Sequence, residues 1–153
     1  CYQDGYVIGT NSYVLIAKKN EIPDELNWKC VDKDNNVYDF KDYPKVKPVI
    51  EKALSTNETK LTLTKQKIKE FKEWYKQNKN ENCVVTHYLE EINKTIVFSS
   101  YAFKLFIDAM DMIGTDTIWF GDDKQAVIAT NNNDYAMLMP NYFLDEIENK
   151  FEI

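Results

Sequence analysis

The chain has 153 residues, of which 44 % are hydrophobic and 14 % aromatic, enough for one core and too apolar for wholesale disorder. Its formal charge is −6 and all 19 basic residues are lysine, which excludes an arginine finger, bidentate guanidinium recognition and the usual arginine reading of guanine. Net acidity excludes simple wrapping of nucleic acid but leaves room for a local basic stripe, and no apolar run is long enough to span a membrane.

In chain order, residues 1–18 read as a hairpin. Asp4-Gly5 is a turn signal, Tyr6-Val7-Ile8 a strand, Thr10-Asn11-Ser12 a bend, and Tyr13 to Ala17 a second strand. Trp28 to Val31 and Val37 to Phe40 form another hairpin folded at Asp32 to Asn36. Asp42-Tyr43-Pro44 and Pro48 mark an extended link, followed by a short helix over Val49 to Leu54. Leu61 to Thr64 is a strand ending at a helix over Lys65 to Lys79. Cys83 to Leu89 is a strand. Ile96 to Ser99 is another, leading into a helix over Ser100 to Ile113 that Gly114 stops. Three strands close the pattern, Thr117 to Phe120, Ala126 to Ala129 and Tyr135 to Met139. The acidic tail from Tyr142 to Ile153 places Phe143, Ile147 and Phe151 at helical spacing.

Two of these segments repeat. With an offset of 35 residues Leu61 falls on Ile96, Leu63 on Phe98, Thr64 on Ser99, Ile68 on Phe103 and Phe71 on Phe106. In each copy a short strand ends at a hydroxyl residue able to cap the next helix. The expected fold is therefore α+β, with duplicated β-α-β-β-β units and helices on one face of antiparallel sheets. It is a single domain. Residues 1–60 are its β-rich N-terminal part, 61–140 the two repeats and 141–153 an acidic tail. The chain starts at Cys1, as a mature bacterial lipoprotein also does, but Tyr2 to Thr10 already reads as strand, so an N-terminal portion is expected instead to be truncated or processed away.

The two helices differ on their polar sides. Lys65, Lys69, Lys72, Lys76 and Lys79 form one stripe, about 80° wide by the 3.6-residue period. Like charges four apart cost about 0.2–0.5 kcal/mol per pair unless an anion meets them. The stripe reads either as a solvated face or as a sequence-independent track for DNA phosphates. The second helix carries only Lys104 as a cation, against Asp108 and Asp111.

No catalytic constellation emerges, and neither a cofactor nor a metal is expected. His87 is the sole histidine, mid-strand, and shares a strand face with Cys83 without a third partner. Asp32, Asp34 and Asn36 alternate as in an EF-hand loop, but Val37 and Tyr43 stand at the positions of its glycine and distal glutamate, so they read as turn formers. Cys1, Cys30 and Cys83 match no zinc or redox spacing and read as free thiols of a reducing cytoplasm.

Residues 94–140 resemble the last half-domain of bacterial sliding clamps, the beta subunit of DNA polymerase III. The resemblance lies in a strand, a helix, the Gly114-Thr115-Asp116 turn and three strands ending Tyr135-Ala136-Met137-Leu138-Met139-Pro140. Thr10-Asn11-Ser12-Tyr13-Val14-Leu15 is similar to the Thr-Asp-Gly-His-Arg-Leu turn of that family, and Phe40 to Val46 to its interdomain link. The resemblance implies a non-enzymatic processivity factor for DNA replication, from a phage, mobile element or AT-rich bacterium. Such a protein forms rings or other oligomers, contacts duplex DNA through the helix lysines, and binds replication proteins or peptides. Carried over, the partner pocket would use Thr10, Tyr13, Leu15, Met139 and Pro140. A ring of the family needs six such domains, the second helix lacks a basic face, and Val14 stands where the pocket turn has arginine. The same residues also fit a protein-interaction module that keeps the fold without binding DNA.

Overall fold

The computed structural model describes residues 1–39, 45–79, 82–122, 124–141, 147 and 149–153. The sequence alternates strands and helices as expected, and each strand's apolar alternation decides which face meets which helix. The strands are β1 (Tyr2–Gln3), β2 (Tyr6–Thr10), β3 (Val14–Lys19), β4 (Lys29–Val31), β5 (Val37–Asp39), β6 (Thr59–Thr62), β7 (Val84–Leu89), β8 (Lys94–Ser99), β9 (Thr117–Phe120), β10 (Val127–Thr130), β11 (Tyr135–Leu138) and β12 (Lys150–Glu152). The helices are α1 (Val46–Thr56), α2 (Lys65–Asn78) and α3 (Ser100–Ile113).

Nine strands form one antiparallel sheet in the order β5-β4-β1-β2-β3-β11-β10-β9-β6, and a smaller sheet has the order β12-β7-β8. The fold is α+β. Its one parallel pairing among the described residues is β12 on β7, Lys150 opposite Val84. The strand before α2 and the strand before α3 are not neighbours. β6 pairs with β9, Leu61 opposite Ile118, and β8 pairs with β7, Ile96 opposite His87. The strand before each helix thus pairs with the strand after the other helix.

Alternation in the large sheet sorts its side chains into two cores. Val14, Ile16, Ile118, Phe120, Val127, Ala129, Ala136 and Leu138 point to one side, where α3 lies. Leu15, Ala17, Trp119, Ile128 and Met137 point to the other, beneath α1. Helices therefore cover both faces of the large sheet, which corrects the expectation of helices on one face. The expectation followed from two repeats alone, whereas α1 lies outside the repeat and supplies its own apolar stripe, Val46, Ile50 and Ala53.

Helix α3 sits between the large sheet and β7–β8, and buries eight residues, including Phe103, Phe106, Met110 and Ile113. Gly114 ends it at φ 72°, a left-handed conformation that glycine adopts without a Cβ penalty. Helix α2 buries only Phe71. It attaches through rings: Phe71 meets Phe103 at 5.0 Å and Phe151 at 5.5 Å, and Trp74 meets Phe151 at 5.3 Å. Phe151 thus lies on a strand, not on the helix its spacing suggested. Of that suggestion, residues 142–146 and 148 lie outside the described residues, as do 40–44 of the clamp-like link. Thr64 caps α2 by accepting from the Lys67 amide at 3.1 Å, while the Ser99 side chain makes no cap bond to α3.

Cys1 and Cys30 form a disulfide that ties β1 to β4. This corrects the expectation of free thiols. The two cysteines lie 29 residues apart without a motif, and only the pairing of Tyr2 with Lys29 brings them together. Cys83 is free and buried.

Candidate functional site

Among the described residues a largely apolar concavity lies between α1 and the large sheet. Two anchors fix α1 there. At its start the Val46 amide donates to Oε1 of the buried Gln3 at 2.6 Å, reaching across from β1. At its end the buried Asn57 donates through Nδ2 to the carbonyls of Trp119 at 3.0 Å and Ala126 at 2.9 Å. Each bond satisfies a helix-end or strand-end group that would otherwise be buried unpaired. Gly121 lets the β9–β10 loop come close, because a Cβ there would lie 2.6 Å from Asn57 Oδ1 and 3.2 Å from the Thr56 carbonyl.

Between these anchors α1 leaves a groove of two lobes. The first, about 340 Å³, is lined by Thr10, Ser12, Tyr13, Val14 and Leu15, by Val46 and Val49 of α1, and by Ala126, Met137 and Met139. The second, about 420 Å³, shares Val49, Ala126, Met137 and Met139 and continues past Pro48, Ala53, Thr56 and Gln125 to Lys52 and Lys124. Tyr13, Val49 and Met139 are large apolar side chains left 54 %, 42 % and 46 % exposed, an arrangement that costs hydration free energy unless something covers it.

The turn beside the groove is closed by its own hydrogen bonds. Thr10 donates through its hydroxyl to the Val14 carbonyl at 2.8 Å and accepts from the Ser12 amide at 3.2 Å. Asn11 Oδ1 accepts from the amides of Tyr13 and Val14 at 3.1 and 2.9 Å. Ser12 at φ 76° takes the left-handed position of the bend. Across the seam the Met139 amide donates to the Tyr13 carbonyl at 2.9 Å, which ties the turn to the residue after β11. On the same sheet face Tyr135 stands edge-on to Tyr6, and burial, reinforced by Tyr6, pushes its phenol above the ordinary range.

Of the partner residues expected from sequence, Thr10, Tyr13, Leu15 and Met139 therefore line one concavity. Pro140 is buried and does not line it. Sequence reasoning missed Val46, Val49, Ala126 and Met137, together with both lysines of the second lobe. The signal for α1 was an apolar spacing read as starting only at Val49. Nothing local announced Ala126.

The lysines of α2 lie elsewhere. Lys65, Lys69, Lys72, Lys76 and Lys79 are all exposed. Lys69 approaches Glu73 at 3.9 Å, a solvated pair of little consequence. Lys67, outside the stripe, stands 5.1 Å over the Phe151 ring. On α3, Lys104 pairs with Asp108, and that hydrogen bond raises its pKa.

The remaining candidates are held by contacts of their own. Cys83 Sγ hydrogen-bonds Ser100 Oγ at 2.9 Å, whereas His87 Nδ1 faces the Ile153 carbonyl at 2.9 Å and its ring packs on Phe120. The thiol and imidazole thus have separate partners. Asp32 Oδ1 accepts from the amides of Asp34 and Asn36, and Oδ2 accepts from Asn36 Nδ2 and the Tyr38 hydroxyl. These bonds, those of Asn36 foremost, hold its carboxyl at about 2. Asp32 is the turn former its spacing suggested. Among the described residues no group of acidic, histidine or cysteine side chains could hold a metal ion, and no helix is long and apolar enough to cross a membrane.

No protein-family model, curated protein or solved structure matches the chain.

Proposed function

We propose that this chain is a non-enzymatic protein-interaction module whose groove between α1 and the large sheet holds a peptide segment of its partner. One observation carries the reading. Residues 10–15, 46–49 and 126–139, far apart in sequence, converge on a single apolar concavity beside a hydrogen-bonded turn. Exposed apolar anchors in a preformed groove are what a docked segment needs, since little ordering is required on the protein side.

A clamp-like, duplicated build fits this role. The reciprocal pairing of β6 with β9 and β8 with β7 supports it, although three strands follow α3 and β7 alone separates α2 from β8. Nuclear magnetic resonance shift mapping with a pooled library of random decapeptides tests the groove. Shifts should concentrate at Tyr13, Val49, Ala126 and Met139 and leave α2 unmoved. Shifts scattered over the surface, or none, would sink the proposal.

The second reading is a DNA-sliding replication factor, favoured by five exposed lysines aligned on α2. On it, a labelled duplex binds at low salt. The K65A/K69A/K72A variant then binds more weakly and with a shallower salt slope. A wild-type chain that ignores DNA at low salt ends this reading, and a persistent monomer at every concentration excludes a ring. DNA replication belongs to the reducing cytoplasm. A disulfide such as Cys1–Cys30 persists mainly in oxidising compartments, which is why the interaction module stands first.

A further inference from the structure

We infer that the segment held in the groove is acidic as well as apolar, with carboxylates that meet Lys52 and Lys124. The inference rests on the groove being a docking site, as proposed above. Among the described residues the first lobe carries no charged lining side chain, and the charged ones lining the second are Lys52 and Lys124. That is a local reversal in a chain with 25 acidic and 19 basic residues.

Both lysines are exposed, and neither ammonium pairs with a described carboxylate. Asp122, two residues before Lys124 on the same loop, makes no ion pair with the Lys124 ammonium and accepts from other donors. Asp122 Oδ1 accepts from the Lys124 amide at 2.8 Å and Oδ2 from Gln125 Nε2 at 3.3 Å. On α1, Glu51 precedes Lys52 but points about 100° away around the helix and does not line the groove.

Among the described residues the apolar floor therefore ends at two cations without an ion-pair partner. A hydrophobic segment with carboxylates at that end gains two charge pairs, and one with lysines is repelled. Charge at a rim selects partners more than it tightens them, so the predicted signature is a preference in sequence and in salt dependence.

The test selects displayed random decapeptides on the whole, disulfide-intact chain, with counter-selection on Val49→Asp. Enriched sequences should combine two or more large apolar residues with Asp or Glu. A synthetic copy of the best one should bind K52E/K124E about tenfold more weakly, bind K52Q/K124Q with an intermediate loss, and weaken as salt rises. Its Asp→Asn form should lose affinity for the wild type and be indifferent to the lysine variants.

Peptides that need Val49 yet show no acidic enrichment and bind K52E/K124E unchanged would overturn this inference and leave the groove standing. If no peptide depends on Val49, the inference and the groove reading fall together. A wild-type chain that self-associates with rising concentration while Val49→Asp stays monomeric would make a second copy the occupant, which also overturns it.

Discussion

The two faces of the large sheet are finished differently. On one, α3 fits between two sheets and leaves Phe103, Phe106 and Met110 with at most 2 % exposure. On the other, α1 covers Ile8, Ala17 and Ile128 but leaves its own Val49 and Leu54, and Met139 beyond β11, 42 %, 45 % and 46 % exposed. The sealed face contributes stability. The partly covered face contributes less stability and retains a place for something else to bind. Cover, more than hydrophobicity, separates a core from a site here, since apolar strand side chains line both faces.

The sharpest way to break that comparison is a pair of truncations. Phe106→Ala should cost about 3–5 kcal/mol in urea unfolding, whereas Leu54→Ala should stay within about 0.5 kcal/mol. Equal costs would mean that α1 seals its face as α3 does. Next, replacing Cys1 and Cys30 with serine should cost about 2–4 kcal/mol and lower the melting temperature to that of the reduced wild type. The effect should reach the groove, because β1 also carries Gln3, which anchors the start of α1. Asn57→Ala should cost about 1–3 kcal/mol, since it leaves two strand-end carbonyls without their donor. Hydrogen exchange should then quicken in α1 and not in α3.

The smallest effect belongs to Asp32, on the β4–β5 turn and on neither face. Its carboxyl is lowered from 3.8 to about 2, so the folded state favours its charged form. The stabilisation is present above pH about 4 and is lost as pH falls toward about 2. A carbon-13 titration of Asp32 should report the low value, and Asn36→Ala should bring it back toward the usual one. A midpoint near 3.8 in the wild type would show the turn unformed.

Local chemistry made much of this legible. Thr64 and Gly114 marked where α2 begins and α3 ends, and Asp32 to Asn36 marked the β4–β5 turn. The clamp-like spacing of Thr10, Tyr13, Leu15 and Met139 picked out four residues that do share a concavity. What failed depends on distance along the chain. Nothing in residues 1–30 shows that Cys1 meets Cys30, because that follows from the pairing of β1 with β4. Phe151 kept helical spacing but joined a strand, since β7 had a free edge and α2 an uncovered ring face. The repeat equated the cores of α2 and α3 but said nothing of the second sheet that buries one and not the other.

The pairing of β3 with β11 has a kinetic meaning. It joins Leu15 to Met137 and Val14 to Leu138, residues more than a hundred positions apart, and the groove lies across that join. A contact of such sequence separation must meet its loop-closure entropy before it gains anything, which slows folding. Neither half of the chain holds the groove alone. Recognition by a partner would therefore report completed folding, and an occupied groove would act as a staple, slowing unfolding by holding the two halves together.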